Sequence, residues 1–547
     1  MSVKKNKFKL DLLILLVFSI GLILANYQTI DLPPVWDEAT YILPASISFA
    51  EQGFNSGVTQ EANGHPPLFF MLLGTLFSIF GKSLLVAHIL ILIFALISLY
   101  FTFKLGELLF RWEVGLLASI LLFFHPYFLA QTGLVFLATA ITALFTTSIY
   151  FFLKAKKINY MILSSFLVLT DLLASGLAII LFLYNLFEDY RKKINKKIRK
   201  KNILIYSVPL LVISTWLICN KIKYGVFLTA INHSDLVKTN FIEILLNSFY
   251  LIKLILFDNF NWILILVLIL VFLFKIDKSK LKKRISISFL ITLIIYIVFS
   301  LSKSIVLNYG KNFYPHIESY FNLFLPYQYI FFVFIFFFLM VIKDIFIESM
   351  KKDTRLLTLI FILFMGAHSI LLVNFRYIIP ILPLLFLILI SMIYKKTKYL
   401  TFILTIVLVI LFFTQYNLNT DDVGYYLTSN LEYRDYVKIN QEAAIYLEEN
   451  YKDELVLAPF PQVLYFTNPY LDYVNQSLNV PLAIPRPAII SRDYKEPIIN
   501  FSEVEIIFYS PQSYASPYIN EALETLNYTK IKEFSKNNKS IILYQVN

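Results

Sequence analysis

Long apolar runs alternate with short polar stretches from Leu10 to Gln415, and the pattern then stops. A membrane-crossing helix needs about 20 apolar residues, and short cytoplasmic loops collect Lys and Arg. Those two rules place spans at residues 10–29, 84–103, 114–129 and 136–153. The basic N-terminus (Lys4, Lys5, Lys7, Lys9) then lies inside, as a retained first span with no small-residue cleavage site after it. The polar stretch Asp31–Phe70 lies outside. Within it, Glu38–Phe54 has helical spacing, predicting a short surface helix. Leu68–Phe80 is too short to cross and is expected at the outer interface.

Between Lys157 and the eight Lys/Arg of Arg191–Lys201 lie about thirty residues with cytoplasmic signals at both ends. The crossings there must be even in number, yet thirty residues cannot make two full spans. Two half-helices meeting near Thr170–Asp171 are predicted, with Asp171 facing a wet pocket, because broken helices occur where they line a cavity. Further spans follow at 203–219, 261–274, 285–301, 321–342, 357–373, 378–394 and 399–415, with 241–257 interfacial. The reading is an α-helical polytopic membrane protein of about 13 transmembrane helices over residues 1–420. From Asp421 helix-like and strand-like stretches alternate: YVKINQEAAIYLEEN, ELVLAPF, VEIIFYS, YINEALETL and SIILYQV. Residues 421–547 are therefore expected to form a small extracytoplasmic α/β domain. No phosphate loop, Ser/His/Asp spacing or repeat gives it a function.

Composition agrees. The 547 residues are 58% hydrophobic, above the roughly 45–50% of soluble domains. Cys219 is the single cysteine, which excludes a disulfide framework and a cysteine metal cluster. The net charge of +12 does not indicate nucleic acid: residues 421–547 carry 17 acids and 10 Lys/Arg, and the positive charge elsewhere sits in topology-setting clusters.

Sorted by predicted side, the unusual polar residues gather outside: Asp37, Glu38, Glu61, His65, His125, Gln131, Asp171, His233, Lys303, Lys311, His316, Glu318 and Arg376. Carboxylates beside cations at a membrane surface suit a reaction that deprotonates an alcohol and expels a phosphate. A carboxylate serves as the base, a departing phosphate needs positive charge, and Arg meets phosphate with a fixed fork. Each feature also has a structural reading. Asp37–Glu38 can complement a helix N-terminus, His65-Pro66-Pro67 can open a helix, and Arg376 can be an interfacial anchor. His316 and Glu318 read as solvated loop residues, and His125 and His233 lack ligand-spaced partners.

An outside Asp37–Glu38 after the first span, His65-Pro66-Pro67-Leu68 some thirty residues on, and Arg376-Tyr377 with Pro380 and Pro383 opening a late span resemble the GT-C glycosyltransferases of family 39. That group includes protein O-mannosyltransferases and lipid A aminoarabinose transferases. The resemblance covers the membrane part and implies the GT-C fold, a polyprenyl-phosphate-linked sugar donor, and inverting transfer to an extracytoplasmic acceptor. It makes Asp37 the catalytic acid position and Glu38 its companion. Arg376 matches the arginine of the late Arg-Tyr motif as a partner for donor phosphate; His65, Tyr377, Asp171, Gln131, Lys303 and Lys311 are taken with it as candidate donor-phosphate or substrate-binding residues. Two departures stand out. Relatives often carry an Asp shortly after the Gln131 position, where this chain runs Gly133–Ala138, and many have Thr-Lys where it has Thr170–Asp171.

The resulting expectation is a plasma-membrane glycosyltransferase in which Asp37 takes the acceptor proton and Arg376 steadies the departing lipid phosphate. No cofactor is required by these residues, and a divalent metal is left open. A transporter or a flippase of lipid-linked glycans is the alternative. Broken helices suit it, whereas the absence of an inverted repeat and the one-sided polar residues oppose it.

Overall fold

The computed structural model describes residues 2–55, 64–225, 227, 241–274, 328–370, 374–418, 424–481, 501–511 and 517–547, with parts of 276–293. Lys303, Lys311, Glu61, His233, His316 and Glu318 lie outside the described residues, as do residues 294–301 of the predicted span 285–301. The first helix is Ser2–Asn26, and Leu84–Leu109, Lys196–Tyr224, Phe375–Tyr394 and Lys398–Tyr416 are also long and apolar enough to cross a membrane. Shorter apolar helices run Leu68–Phe80, Leu137–Leu153, Lys157–Val168, Trp262–Leu273 and Thr354–Ser369. Five described helices thus meet the length test, and the expected thirteen is a larger number than they support.

Two boundaries differ from expectation for clear reasons. The predicted span 84–103 continues to Leu109, because Lys104 is neutralised inside the bundle by Asp11 at 3.1 Å and Glu107 at 2.5 Å. The predicted span 114–129 breaks by 68° between Phe124 and Pro126. Proline there has no N–H to continue the helix. The expected break at Thr170–Asp171 is present: helices Lys157–Val168 and Ser175–Arg191 flank a buried turn, and Asp171 accepts the Ala174 amide at 3.1 Å.

The C-terminal segment holds the helix Glu432–Asn450 and a four-stranded sheet of β1 (Val456–Leu457), β2 (Ile506–Tyr509), β3 (Tyr528–Lys536) and β4 (Lys539–Val546), in the order β1-β2-β4-β3. β1 and β2 are parallel and the remaining pairs antiparallel. β3 was not expected from the sequence. It is a largely exposed, charged edge strand from which only Ile531 and Phe534 pack against the core. Its turn is readable in hindsight: Asn537 and Asn538 both take positive φ, as a type I′ hairpin requires.

The sheet is covered on both faces. Ile507 and Leu457 pack with Ile519 and Ala522 of the helix Pro517–Thr525. Ile506, Phe508, Ile541 and Leu543 face a larger core that also contains Tyr433, Tyr436, Tyr465 and Tyr473. That same core takes in Val35, Trp36, Ala39 and Ile42 from the first polar loop, and Phe69, Phe70 and Leu73 from the short apolar helix. The loop following the first span and the C-terminal segment therefore share one hydrophobic interior.

Candidate active site

The polar loop enters its helix through a turn at 34–38. Asp37 precedes a π-helical turn Glu38–Ile42, which runs into Leu43–Gln52. Asp37 and Tyr41, four residues apart, fall on one face, and burial and the Asp37 charge together raise the Tyr41 hydroxyl. Opposite, Asn374 caps the helix Phe375–Ile378 by accepting the Arg376 amide at 3.1 Å. Pro380 and Pro383 then sit in first-turn positions of the two helical pieces that follow, where a missing N–H costs nothing. This start directs Arg376 to Asp37: Nη1 donates to Oδ2 at 2.6 Å, bridging 339 residues of sequence. The Arg376 guanidinium also lies 4.7 Å from the centre of the Phe136 ring, a favourable cation–π distance.

His65 joins from the second half of the loop. Its ring stacks on Tyr41 with centroids 5.5 Å apart, and Nδ1 is 3.7 Å from Asp171 Oδ2. The backbone secures that neighbourhood, since the Leu68 amide donates to the Leu169 carbonyl at 2.9 Å. Burial lowers the His65 pKa, with Asp171 pulling the other way, and burial raises the Tyr41 hydroxyl well above its ordinary value. Asp37, Tyr41, His65, Phe136, Asp171, His368, Arg376 and Tyr377 line one cleft with about 60 Å³ of internal room. That is space for about four waters.

Glu38 faces away from the opening. It is 2% exposed; Oε2 accepts the Val35 amide at 2.7 Å and Oε1 accepts the Val135 amide. Burial pushes its carboxyl up to about 8, against the pull of those amides. Gln131 does not line the cleft. Its Nε2 donates to the Thr428 carbonyl at 3.0 Å, so it joins the membrane part to the C-terminal segment. The run Gly133–Ala138, where relatives carry an extra acid, supplies the Val135 amide to Glu38 and the Phe136 ring to Arg376. Among the described residues, no cluster of three His, Cys, Asp or Glu is arranged to hold a metal ion. The sequence reading omitted Tyr41 and His368 as cleft residues. The i, i+4 spacing from Asp37 could have found Tyr41, whereas His368 had no signal beyond being polar in an apolar helix.

Asp37 is thus paired with the Arg376 guanidinium, and His65 stands beside Asp171 in the same cleft. The arrangement can accept a proton at Asp37 and can bind an anion through Arg376.

No protein-family model matches the sequence, and no curated protein does. Solved structures do. ArnT from Cupriavidus metallidurans in the apo state is similar at TM-score 0.54 and 10% identity over 97% of both chains. The same enzyme bound to undecaprenyl phosphate is similar at 0.52 and 11%, over 98% of both chains. An Archaeoglobus fulgidus oligosaccharyltransferase complexed with Zn and sulfate gives 0.43 and 13%, over 98% of this chain and 75% of that one. At full-length coverage, the likeness to ArnT shows that this chain has the fold of ArnT.

Proposed function

We propose that this protein is a membrane glycosyltransferase that moves a sugar from a polyprenyl-phosphate donor to a hydroxyl outside the cytoplasm, with inversion. The observation that carries the reading is the Asp37–Arg376 contact: a base and a phosphate-binding cation, from opposite ends of the membrane part, meet in one cleft. Support comes from the ArnT fold and from the undecaprenyl phosphate bound to one of the ArnT structures.

In this mechanism the acceptor oxygen attacks the anomeric carbon while Asp37 takes its proton. The bond from that carbon to the phosphate oxygen breaks, and polyprenyl phosphate leaves with the electron pair. Arg376 bridges the Asp37 carboxylate and the donor phosphate, so negative charge developing on the leaving group meets a fixed cation. His65 and Asp171 offer polar partners to sugar or phosphate. Glu38 acts through the turn that carries Asp37, its own oxygens being taken by backbone amides. Residues 421–547 form the extracytoplasmic domain in this scheme, and the cleft opens on the same side. The test is incubation of the purified protein with radiolabelled polyprenyl-phosphate sugars and candidate acceptors. Labelled product from a lipid donor supports the proposal; no transfer from any of them removes it.

A further inference from the structure

Asp37 sits on a turn that is tied to distant parts of the chain as well as to its own loop. Trp36, the residue before it, has φ +51°, in the left-handed region that bulky residues rarely adopt. It is nonetheless buried, at 2% exposure. Two tyrosines from the far end of the chain meet this turn. Tyr465, on the helix Gln462–Thr467, accepts the Trp36 amide at 3.1 Å through its hydroxyl. Tyr473 donates its hydroxyl to the Pro34 carbonyl at 3.2 Å. The two rings stack 4.2 Å apart at 7° and are both fully buried. Pro34, Trp36, Asp37 and Glu38 are thus each tied to an element distant in sequence: Tyr473, Tyr465, Arg376 and Val135.

We infer that Tyr465 and Tyr473 are positioning residues for the transfer reaction: the C-terminal segment holds the Pro34–Glu38 turn in its strained form and so fixes Asp37 against Arg376. This rests on the function proposed above and gives the C-terminal segment, which has no chemistry of its own to read, a part in catalysis. A strained backbone persists only where its surroundings over-determine it, and the two tyrosyl hydroxyls are the contacts that do so from outside the membrane part. A carboxylate displaced by even about 1 Å can lose a large factor in rate, whereas donor binding through Arg376 tolerates the change.

The test uses the full-length protein with Tyr465→Phe, which removes one oxygen and keeps the ring stack. Three quantities are read: kcat and donor KM for transfer, thermal midpoint, and hydrogen exchange of the peptide spanning residues 30–42. The expected result is a fall in kcat of about threefold to tenfold, the rate equivalent of one hydrogen bond, with donor KM within about twofold of wild type and faster exchange at the turn. Unchanged kcat together with unchanged exchange overturns the inference. So does a joint collapse of kcat, KM and thermal midpoint, which marks a purely structural role. If Tyr465→Phe does not fold, Tyr473→Phe, whose bond lies further from Asp37, replaces it with a smaller expected fall in kcat. A wild-type protein that transfers no sugar counts against the proposed function alone, and the exchange measurement still decides the role of the tyrosines.

Discussion

Replacing Asp37 by Asn should separate donor binding from turnover, in a direction that intuition about active-site mutations does not suggest. In the cleft the Asp37 carboxylate holds Arg376 at 2.6 Å, on the cation assigned to the donor phosphate. A phosphate reaching Arg376 from its other side lies about 6 Å from the carboxylate. Two unit charges at that distance repel by roughly 1.4–2.8 kcal/mol for an effective dielectric of about 20–40. Both partners are partly open to the cleft, at 12% and 19% side-chain exposure, so the lower figure is the better guide. Asp37→Asn removes that repulsion and loosens the competing contact while keeping the shape of the side chain. Polyprenyl phosphate should then bind about threefold to tenfold more tightly than to wild type, read by titration calorimetry in detergent or nanodiscs. Weaker binding to Asp37→Asn would refute the reasoning, and would mean that the carboxylate orients Arg376 for the phosphate instead of competing with it.

Arg376→Ala should weaken polyprenyl phosphate binding by about 10- to 100-fold, the cost of a charge-assisted hydrogen bond, and Arg376→Lys should restore only part because the planar fork is lost; unchanged affinity in the alanine variant returns this residue to an interfacial anchor. Glu38 has a folded pKa of about 8 against an ordinary 4.5, so the folded state holds an extra proton between those values. Stability should therefore be greatest below the lower value and decline by up to about 1.4 kcal/mol per pH unit as pH rises towards 8. Melting curves between pH 5 and 8 should show that slope in wild type and lose it in Glu38→Gln. A Cβ on Gly133 would lie 2.2 Å from the Tyr433 hydroxyl and 2.8 Å from Thr29 Oγ1, so Gly133→Ala should destabilise by about 1–3 kcal/mol, visible as a lower thermal midpoint.

How much of this was legible in the sequence depended on the kind of signal. The break at Thr170–Asp171 was readable because the basic clusters at both ends of this stretch read as lying on one side, too close together for two full spans. Asp37, His65 and Arg376 were readable as unusual polar residues with local motifs around them, and they meet in one cleft. Tyr465 and Tyr473 were not readable, since a tyrosine in a mixed apolar and polar stretch looks the same whether it packs in its own domain or grips a turn 430 residues away. Lys104 misled in the opposite direction: a lysine after an apolar run signals a helix end, but Asp11 and Glu107 neutralise it inside the bundle. Glu38 resembled a catalytic companion by adjacency alone. Its place between two backbone amides depends on Val135, which no local pattern connects to it.

Turnover of Asp37→Asn is the most direct test of the central claim, that Asp37 is the base in a sugar transfer from a lipid phosphate. With a donor and acceptor that wild type uses, and at saturating concentrations of both, the variant should lose about 10²–10⁴-fold in kcat while still folding and binding polyprenyl phosphate. Glu38→Gln should lose less in the same assay. Near-normal kcat in Asp37→Asn would contradict the account, because the cleft would then be doing its chemistry without the carboxylate that Arg376 holds in place.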